Sequence, residues 1–584
     1  MKKTIITLIS LLIFSMGHAQ FFERVNYVGA LSPDASKDWT KNWTNWNPNS
    51  TAYPNSVVDT TTLTSSTGVV NIVSTLTLDP KVVYHMKSLV VVRDGGKLII
   101  PAGTLIKGLA KLDVIPKQYA SVIVERGGYI SCNGTETNPV VFTSSKNVGQ
   151  KQRGDWGGIV VCGKAINNQG TDIQVEGFNN ISADATLAKH GGINDNDNSG
   201  VIKYVRIEFG GLGFEPNKEI NGLTLASVGR NTTVDHVQVS NCNDDSYEWF
   251  GGTVNCKYLI SYKTTDDDFD TDFGYRGAVQ FGIAFRDSAY YDLSWNAPSG
   301  SSTSETFESD NDASGSGRLP LTSAVFSNIT CVGPVPAGMN WDQLSTTQKG
   351  AFRRGVRIRR NSRQSIINSI FMGYRNFIMY DGDSVLVNSG VKSNTISDKN
   401  ALFRNNYIWG VKSTAPKGTT NTGLCETSSN GNPNTLDSWV RHAKNQNIID
   451  TGYNRKGFLV NTNNFFSPDF RPEGVYDSTN FSFDVLGQYG VLHVKSIGKI
   501  NSVRAYPNPT EGQYTVNFET THPFSAEVYI IDISGKKVKQ FNNIKTIPGS
   551  NSVNVDLSDL IGGTYYFHIE GESNDIVYQV IVVK

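Results

Sequence analysis

The chain has 584 residues, with 53 Lys and Arg against 53 Asp and Glu and a pI of about 7.1. That length exceeds one ordinary compact core, so several domains or an elongated repeat are expected. The balanced charge offers no overall field for nucleic acid or an anionic membrane, and a charged fraction of only 18% beside 56 Gly argues for an all-β protein of many short strands and turns.

Residues 1–19 read as a secretory signal peptide. Lys2 and Lys3 supply a positive start, Ile5 to Phe14 a short apolar run, and Gly17-His18-Ala19 the small residues before a cleavage point, so Gln20 is the expected mature start. A buried first strand or an uncleaved anchor is the alternative, and the run being too short to span a bilayer weighs against it. No Cys follows the cleavage point, so no lipoprotein anchor is indicated. No later stretch reaches about 18 uninterrupted apolar residues, so no transmembrane segment is expected in the mature chain.

Residues 20–61 are irregular, with Trp39, Trp43 and Trp46 close together. Two readings stand: a cap packed on the open end of the first coil of a repeat, or an aromatic platform for sugar.

From residue 62 to about 495 the pattern is repetitive. Leu89-Val90-Val91-Val92, a turn at Gly95-Gly96, and Leu98-Ile99-Ile100 are echoed by Ser121-Val122-Ile123-Val124, Gly127-Gly128 and Tyr129-Ile130. No such unit could bury its apolar face alone, but stacked units would share one core. Asp244 to Gly251 aligns with Asp267 to Gly274 at an offset of 23 residues. That suits one coil of a right-handed parallel β-helix, at about 20–25 residues per turn. A β-propeller is the rival, but it needs about 40–45 residues per blade and hairpin signals that are sparse here. Two stretches, near 287–320 and 412–450, read as loop insertions, the second with a helical segment over Leu436 to Lys444. The six Cys (Cys132, Cys162, Cys242, Cys256, Cys331 and Cys425) suit neither a disulfide scaffold nor a zinc site, and read as small buried hydrophobes with room for one bridge.

Residues 502–584 form a separate unit. Strands alternate cleanly through Tyr514-Thr515-Val516-Asn517-Phe518, Ala526 to Asp532, Gly563 to Ile569 and Val577 to Lys584, which predicts a small antiparallel β-sandwich. Tyr506-Pro507-Asn508-Pro509, Ile533-Ser534-Gly535-Lys536, and Leu557-Ser558-Asp559-Leu560 before Gly563-Thr564-Tyr565 give this unit its resemblance to the type A sorting domain of the Bacteroidetes type IX secretion system. The resemblance implies export across the inner membrane, then outer-membrane passage through the type IX translocon. It also implies removal of the domain by its peptidase, and a product either released or attached to the outer cell surface. Gly154-Asp155-Trp156-Gly157-Gly158, Tyr204 to Gly211 and Asn243-Asp244-Asp245-Ser246 resemble exported β-helix proteins of the pectin-lyase-like class, over roughly residues 60–410. One fold hosts many functions, so this resemblance speaks for architecture more than chemistry.

The densest carboxylate region holds Asp244, Asp245, Asp266, Asp267, Asp268, Asp270 and Asp272. In an extended segment Asp266, Asp268, Asp270 and Asp272 share a face. Strands about 4.8 Å apart would stack Asp244 and Asp245 against Asp267 and Asp268. Such crowding suits a calcium ion, which takes oxygen ligands in irregular geometry, or else a solvated acidic ladder. No organic cofactor is indicated. A second acidic group, Glu305, Glu308, Asp310 and Asp312, would cover the first if its loop folded back. In pectin-lyase-like lyases calcium neutralises a uronate and an Arg or Lys removes its C5 proton, and Lys263, Arg276 and Arg286 are the candidate bases here. The run Arg353, Arg354, Arg357, Arg359, Arg360, Arg363 reads either as a site for an acidic glycan or as a face paired to neighbouring acids. The expected function is a secreted or cell-surface protein that binds a glycan or another envelope component, stiffened by calcium and not an enzyme. The alternative is a calcium-dependent polysaccharide lyase or glycoside hydrolase. No nucleic-acid partner is expected.

Overall fold

The computed structural model describes residues 21–450 apart from short interior segments, of which 294–302 and 410–424 are the longest, then strands between 459 and 472 and most of 500–582. The proposed signal peptide, Pro507-Asn508-Pro509, the turn at 533–536 and part of the second insertion lie outside the described residues. The chain divides into two compact units, residues 25–482 and 483–584 with the first 24 residues.

The first unit is a parallel β-helix. Its strands pair in parallel from Val58–Asp59, against Val83 and Tyr84, to Ile448–Asp450, against Tyr407 to Trp409. Six strands of one 11-stranded face matter most here: β1 (Leu223–Val228), β2 (Tyr247–Gly252), β3 (Phe269–Asp272), β4 (Phe307–Ser309), β5 (Arg354–Arg359) and β6 (Asn376–Asp381). Each pairs in parallel with the next. Leu223, Tyr247, Phe269, Phe307 and Val356 are in register and point inward, each essentially unexposed, so one continuous core runs along the coils. Stacking matters because no coil could bury these rings alone.

Seven successive coils also break their strands at a left-handed residue in the same place. Tyr204, His236, Tyr258, Phe281, Asn328, Asn368 and Asn405 occupy equivalent places, with φ between 48° and 62°. The four rings stack in order, with centroids 4.3, 4.3 and 5.1 Å apart. Where the ring column ends, an amide column begins, and Asn405 Nδ2 donates to Asn368 Oδ1 at 2.7 Å. Left-handed φ is tolerated best by Asn among non-glycine residues, and stacking one coil on the next holds the aromatic members there.

Four expectations need correction. The coil offset at β2 and β3 is 22, not 23: Tyr247 lies over Phe269 and Glu248 over Asp270. The core aromatics set this register, whereas the repeated Asp pairs suggested a shift of one. The stretch 287–320 is not all loop, because β4 lies within it as a full rung of the sheet. In the second insertion the helix starts at Pro433 and ends at Val440, capped by Asn432, and Cys425–Thr427 and Ile448–Asp450 continue the two parallel sheets.

The fourth correction concerns the Trp-rich segment, which is not a cap over the first coil. It is a strap along the flank. Tyr27 O accepts from Asn328, Ala30 N–H donates to Thr330 Oγ1 at 2.9 Å, Asn45 bonds Gln238, and Tyr53 OH donates to Glu208 at 2.6 Å. Trp39 and Trp43 pack against the ring column at His236, Tyr204 and Tyr258. All six Cys are buried and unbridged.

The second unit consists of a three-stranded antiparallel sheet (Ile500–Tyr506, Gln513–Thr520, Gly549–Asp556) and a four-stranded one (Ser525–Asp532, Lys537–Lys545, Gly563–Gly571, Asn574–Val582). Tyr514, Val516, Phe518, Val528, Ile530, Phe567 and Ile569 form its core, as alternation predicts.

Candidate metal and ligand site

The sheet carrying β1 to β6 presents two columns of polar side chains, each column one residue per coil. Two positions before each inward ring stand Asn221, Asp245, Asp267, Glu305 and Arg354. One position after it stand Thr224, Glu248, Asp270, Glu308 and Arg357. The face therefore carries acids on β2, β3 and β4 and a basic coil on β5.

The basic coil is spent on acids other than those of β2 and β3. Arg354 pairs with Glu305 at 3.2 Å and Glu426 at 3.0 Å, Arg357 with Glu308 at 3.2 Å and Asp381 at 3.6 Å, Arg359 with Glu308 and with Asp310 at 2.7 Å, and Arg360 with Asp310 at 2.7 Å. Four arginines of the run are thus paired to acids. Asp245, Glu248, Asp267, Asp270 and Asp272 have no Lys or Arg at ion-pair distance among the described residues. Burial first, and then their neighbouring carboxylates, push these five acids well above the usual carboxylate range.

The backbone holds this crowd together. Asp267 N–H donates to Asp245 Oδ1 at 2.7 Å, and Glu305 N–H donates to Asp267 Oδ1 at 2.6 Å. Asn221 Nδ2 donates to Glu248, while Asn221 Oδ1 and Asp270 Oδ1 are shielded from solvent and meet no donor among the described residues. Three groups of carboxylates could hold a metal ion: Asp244, Asp245 and Asp266; Asp245, Glu248 and Asp270; and Asp267, Glu305 and Glu308. Within each group one oxygen per residue lies within 4.8 Å of the others. Clustered hard oxygens fit a cation such as calcium.

A cavity of about 540 Å³ opens over the first two groups. Asp244, Asp245, Glu248, Asp266, Asp270 and Glu308 line its acidic side, Phe178, Ile220, Phe250, Tyr291 and Leu293 its apolar side, and Arg359 is its one basic residue among those described.

Of the residues expected from sequence, Asp268 does not join this face. It turns inward, fully buried, and pairs with Arg286 at 2.9 Å. Strict alternation fails there because the chain is still rounding the corner before β3. Asp272 takes the N–H of Phe273 and belongs to none of the three groups. The three candidate bases stand away from the cavity. Arg286 holds Asp268, Arg276 bonds both oxygens of Asp195 at 2.6 Å, and Lys263 pairs with Asp287 at 3.1 Å. Glu248 and Asn221 were not singled out from sequence, and Arg359 was read only as part of the arginine run. The period-two pattern around the core aromatic of each strand is the signal that finds them.

Residues 70–443 match the family described as a pectate-lyase-like beta helix domain, and residues 504–584 match a secretion system C-terminal sorting domain. The second match marks the chain for secretion and the cell surface by the type IX system. No helix among the described residues is long and apolar enough to cross a membrane. No curated protein matches the chain. Among solved structures, tailspike protein 4 of bacteriophage CBA120 (enzymatically active domain) is 11% identical with a TM-score of 0.18, covering 86% of this chain and 64% of its own. The Dettilon tailspike protein is 10% identical with a TM-score of 0.19, covering 84% of this chain and 87% of its own. The chain thus spans less than two thirds of the first of these.

Proposed function

Because the chain belongs to the pectate-lyase-like β-helix family and ends in a secretion sorting domain, we propose that it binds a surface or environmental glycan through calcium held in the acidic cavity. One observation carries this reading. Asp245, Glu248 and Asp270 bring three carboxylate oxygens within 4.8 Å of one another at the wall of an open cavity, with no basic partner among the described residues. Buried, mutually repelling carboxylates are costly unless protons or a cation neutralise them. Calcium takes 6–8 oxygens, more than these side chains supply, which leaves positions for the hydroxyl groups of a sugar. Phe178, Phe250 and Tyr291 supply an apolar wall for a sugar face. The acidic lining favours a neutral glycan, since a uronate would meet repulsion except at the cation itself.

The same acids support a second reading, glycoside hydrolysis, which needs one protonated and one ionised carboxyl across the bond. Glu248 and Asp270 are adjacent, and burial and then neighbouring carboxylates raise both, so that one proton shared between them leaves one carboxyl protonated and the other ionised. A lyase finds less support, because Lys263, Arg276 and Arg286 are committed to ion pairs outside the cavity.

The test is to incubate the purified protein with a panel of neutral and acidic polysaccharides, in calcium and in EDTA, measuring retention and chain length. Retention in calcium, loss in EDTA and unchanged chain length support the binding reading. Shortened chains would replace it with hydrolysis, and retention indifferent to EDTA would remove the cation.

A further inference from the structure

The third carboxylate group lies deeper than the cavity. Asp267, Glu305 and Glu308 are 4%, 0% and 7% exposed, and one oxygen from each lies within 4.8 Å of the other two. Asp267 and Glu305 do not line the cavity. They come from successive coils, β3 and β4, tied by the Glu305 N–H to Asp267 Oδ1 bond.

The decisive atom is Glu305 Oε2. Its partner Oε1 accepts from Thr303 Oγ1 and from Arg354 Nη1. Oε2, on a side chain with no exposure at all, meets no donor among the described residues. A buried carboxylate oxygen left bare is costly, more so when charged, so something should satisfy it.

The arginines nearby do not have the charge to do so. Arg354 divides itself between Glu305 and Glu426, Arg357 between Glu308 and Asp381, and Arg359 between Glu308 and Asp310, which Arg360 also holds. Four arginines thus serve Glu305, Glu308, Asp310, Asp381 and Glu426, and Asp267 beside them has none.

We propose that Asp267, Glu305 and Glu308 bind a divalent hard cation, calcium by its oxygen ligands, as a buried structural site that bolts β3 to β4. Only Glu308 is shared with the cavity lining, so the site does not depend on the cavity reading. Asp267 and Glu305 hold the ion behind that wall, so it exchanges slowly, and its work is to hold neighbouring coils where the sheet changes from acidic to basic.

The experiment uses the full mature chain, loaded with calcium and desalted into metal-free buffer. Native mass spectrometry and elemental analysis then count the retained calcium. The expected result is one calcium retained by wild type, released on unfolding, and none retained by Glu305→Gln. Glu248→Gln, altered only in the cavity, keeps the retained ion. Wild type without retained calcium would overturn the proposal, with the bare oxygen then satisfied by a proton. So would a folded Glu305→Gln that keeps its ion. If Glu305→Gln does not fold, Asp267→Asn is measured the same way, and the wild-type count decides alone if neither folds. Loss of the cavity's calcium-dependent glycan retention with the slow ion still present would sink the function reading and leave this one standing.

Discussion

Asp245 accepts the backbone N–H of Asp267 at 2.7 Å, so two acids that belong to neighbouring coils are stacked by a bond that does not neutralise either. The bond survives replacement of Asp245 by Asn, whose carbonyl accepts equally well, while the charge does not. The sign of the effect therefore depends on calcium. In EDTA, Asp245→Asn should raise stability by about 1 kcal/mol, because it removes a like charge from a buried cluster. In saturating calcium it should lower stability by about 2–3 kcal/mol, the size of the linkage lost when a site filled to about 100 times its Kd disappears. Calorimetric melting in both buffers checks this, and an effect of the same sign in both would remove cation binding at Asp245.

Arg286 and Asp268 form a fully buried pair inside the β-helix. Arg286→Met leaves Asp268 charged and unpaired, and should cost about 3–5 kcal/mol. Arg286→Met with Asp268→Asn removes both charges and should recover most of that loss. Urea denaturation of the two variants separates pairing from packing, since a packing role predicts no recovery. The same variants test the catalytic alternative for Arg286: the double variant should keep full glycan retention.

These cases mark where sequence reasoning holds. The β-helix was legible because short apolar runs with Gly corners recur, and the C-terminal sheets because alternation is clean. The paired character of the arginine run was legible as well. The acid face was legible in composition but not in register. Asp244-Asp245 and Asp267-Asp268 look alike, and that likeness suggested an offset of 23, while the rings Tyr247 and Phe269 impose 22. Glu305 and Glu308 were legible as an acidic group able to fold back on the first, but not in register, because their coil carries an insertion, placing Phe307 38 residues after Phe269, its partner in the sheet. The strap was illegible for another reason: Ala30 bonds Thr330, 300 residues away, and nothing local encodes such a contact.

His190 gives a pH dependence away from the acids. Burial, and then Arg126, push its imidazole down to about 3, and Nδ1 lies 2.9 Å from Ser227 Oγ. The unfolded chain protonates this group near pH 6.5, whereas the folded chain keeps it neutral. Stability from this residue is therefore present above pH 6.5 and falls as pH drops toward 3, by roughly 2 kcal/mol at pH 5. The raised carboxyls act in the opposite direction, so the difference between wild type and His190→Gln is the quantity to measure. That difference should shrink by roughly 2 kcal/mol between pH 7 and pH 5, and a difference independent of pH would mean that His190 takes up its proton in the fold as readily as in the unfolded chain.

Trp43 is the anchor of the strap. It is fully buried, donates Nε1–H to Trp39 O at 2.7 Å, and packs edge-on against Tyr204 and His236. Truncating a buried aromatic to Ala costs about 3–5 kcal/mol. A β-helix coil depends mainly on its immediate neighbours, so the loss at Trp43→Ala should be local, freeing the strap rather than melting the coils. Hydrogen exchange should accelerate at Gly29 and Ala30, whose N–H groups donate to Asn368 O and Thr330 Oγ1. Exchange along β2 and β3, paired only to other coils, should stay slow. Limited proteolysis should then cut between residues 25 and 60 first. Faster exchange spread evenly over strap and coils would instead make the strap part of the cooperative core, with its aromatic column closing the flank of every coil it crosses.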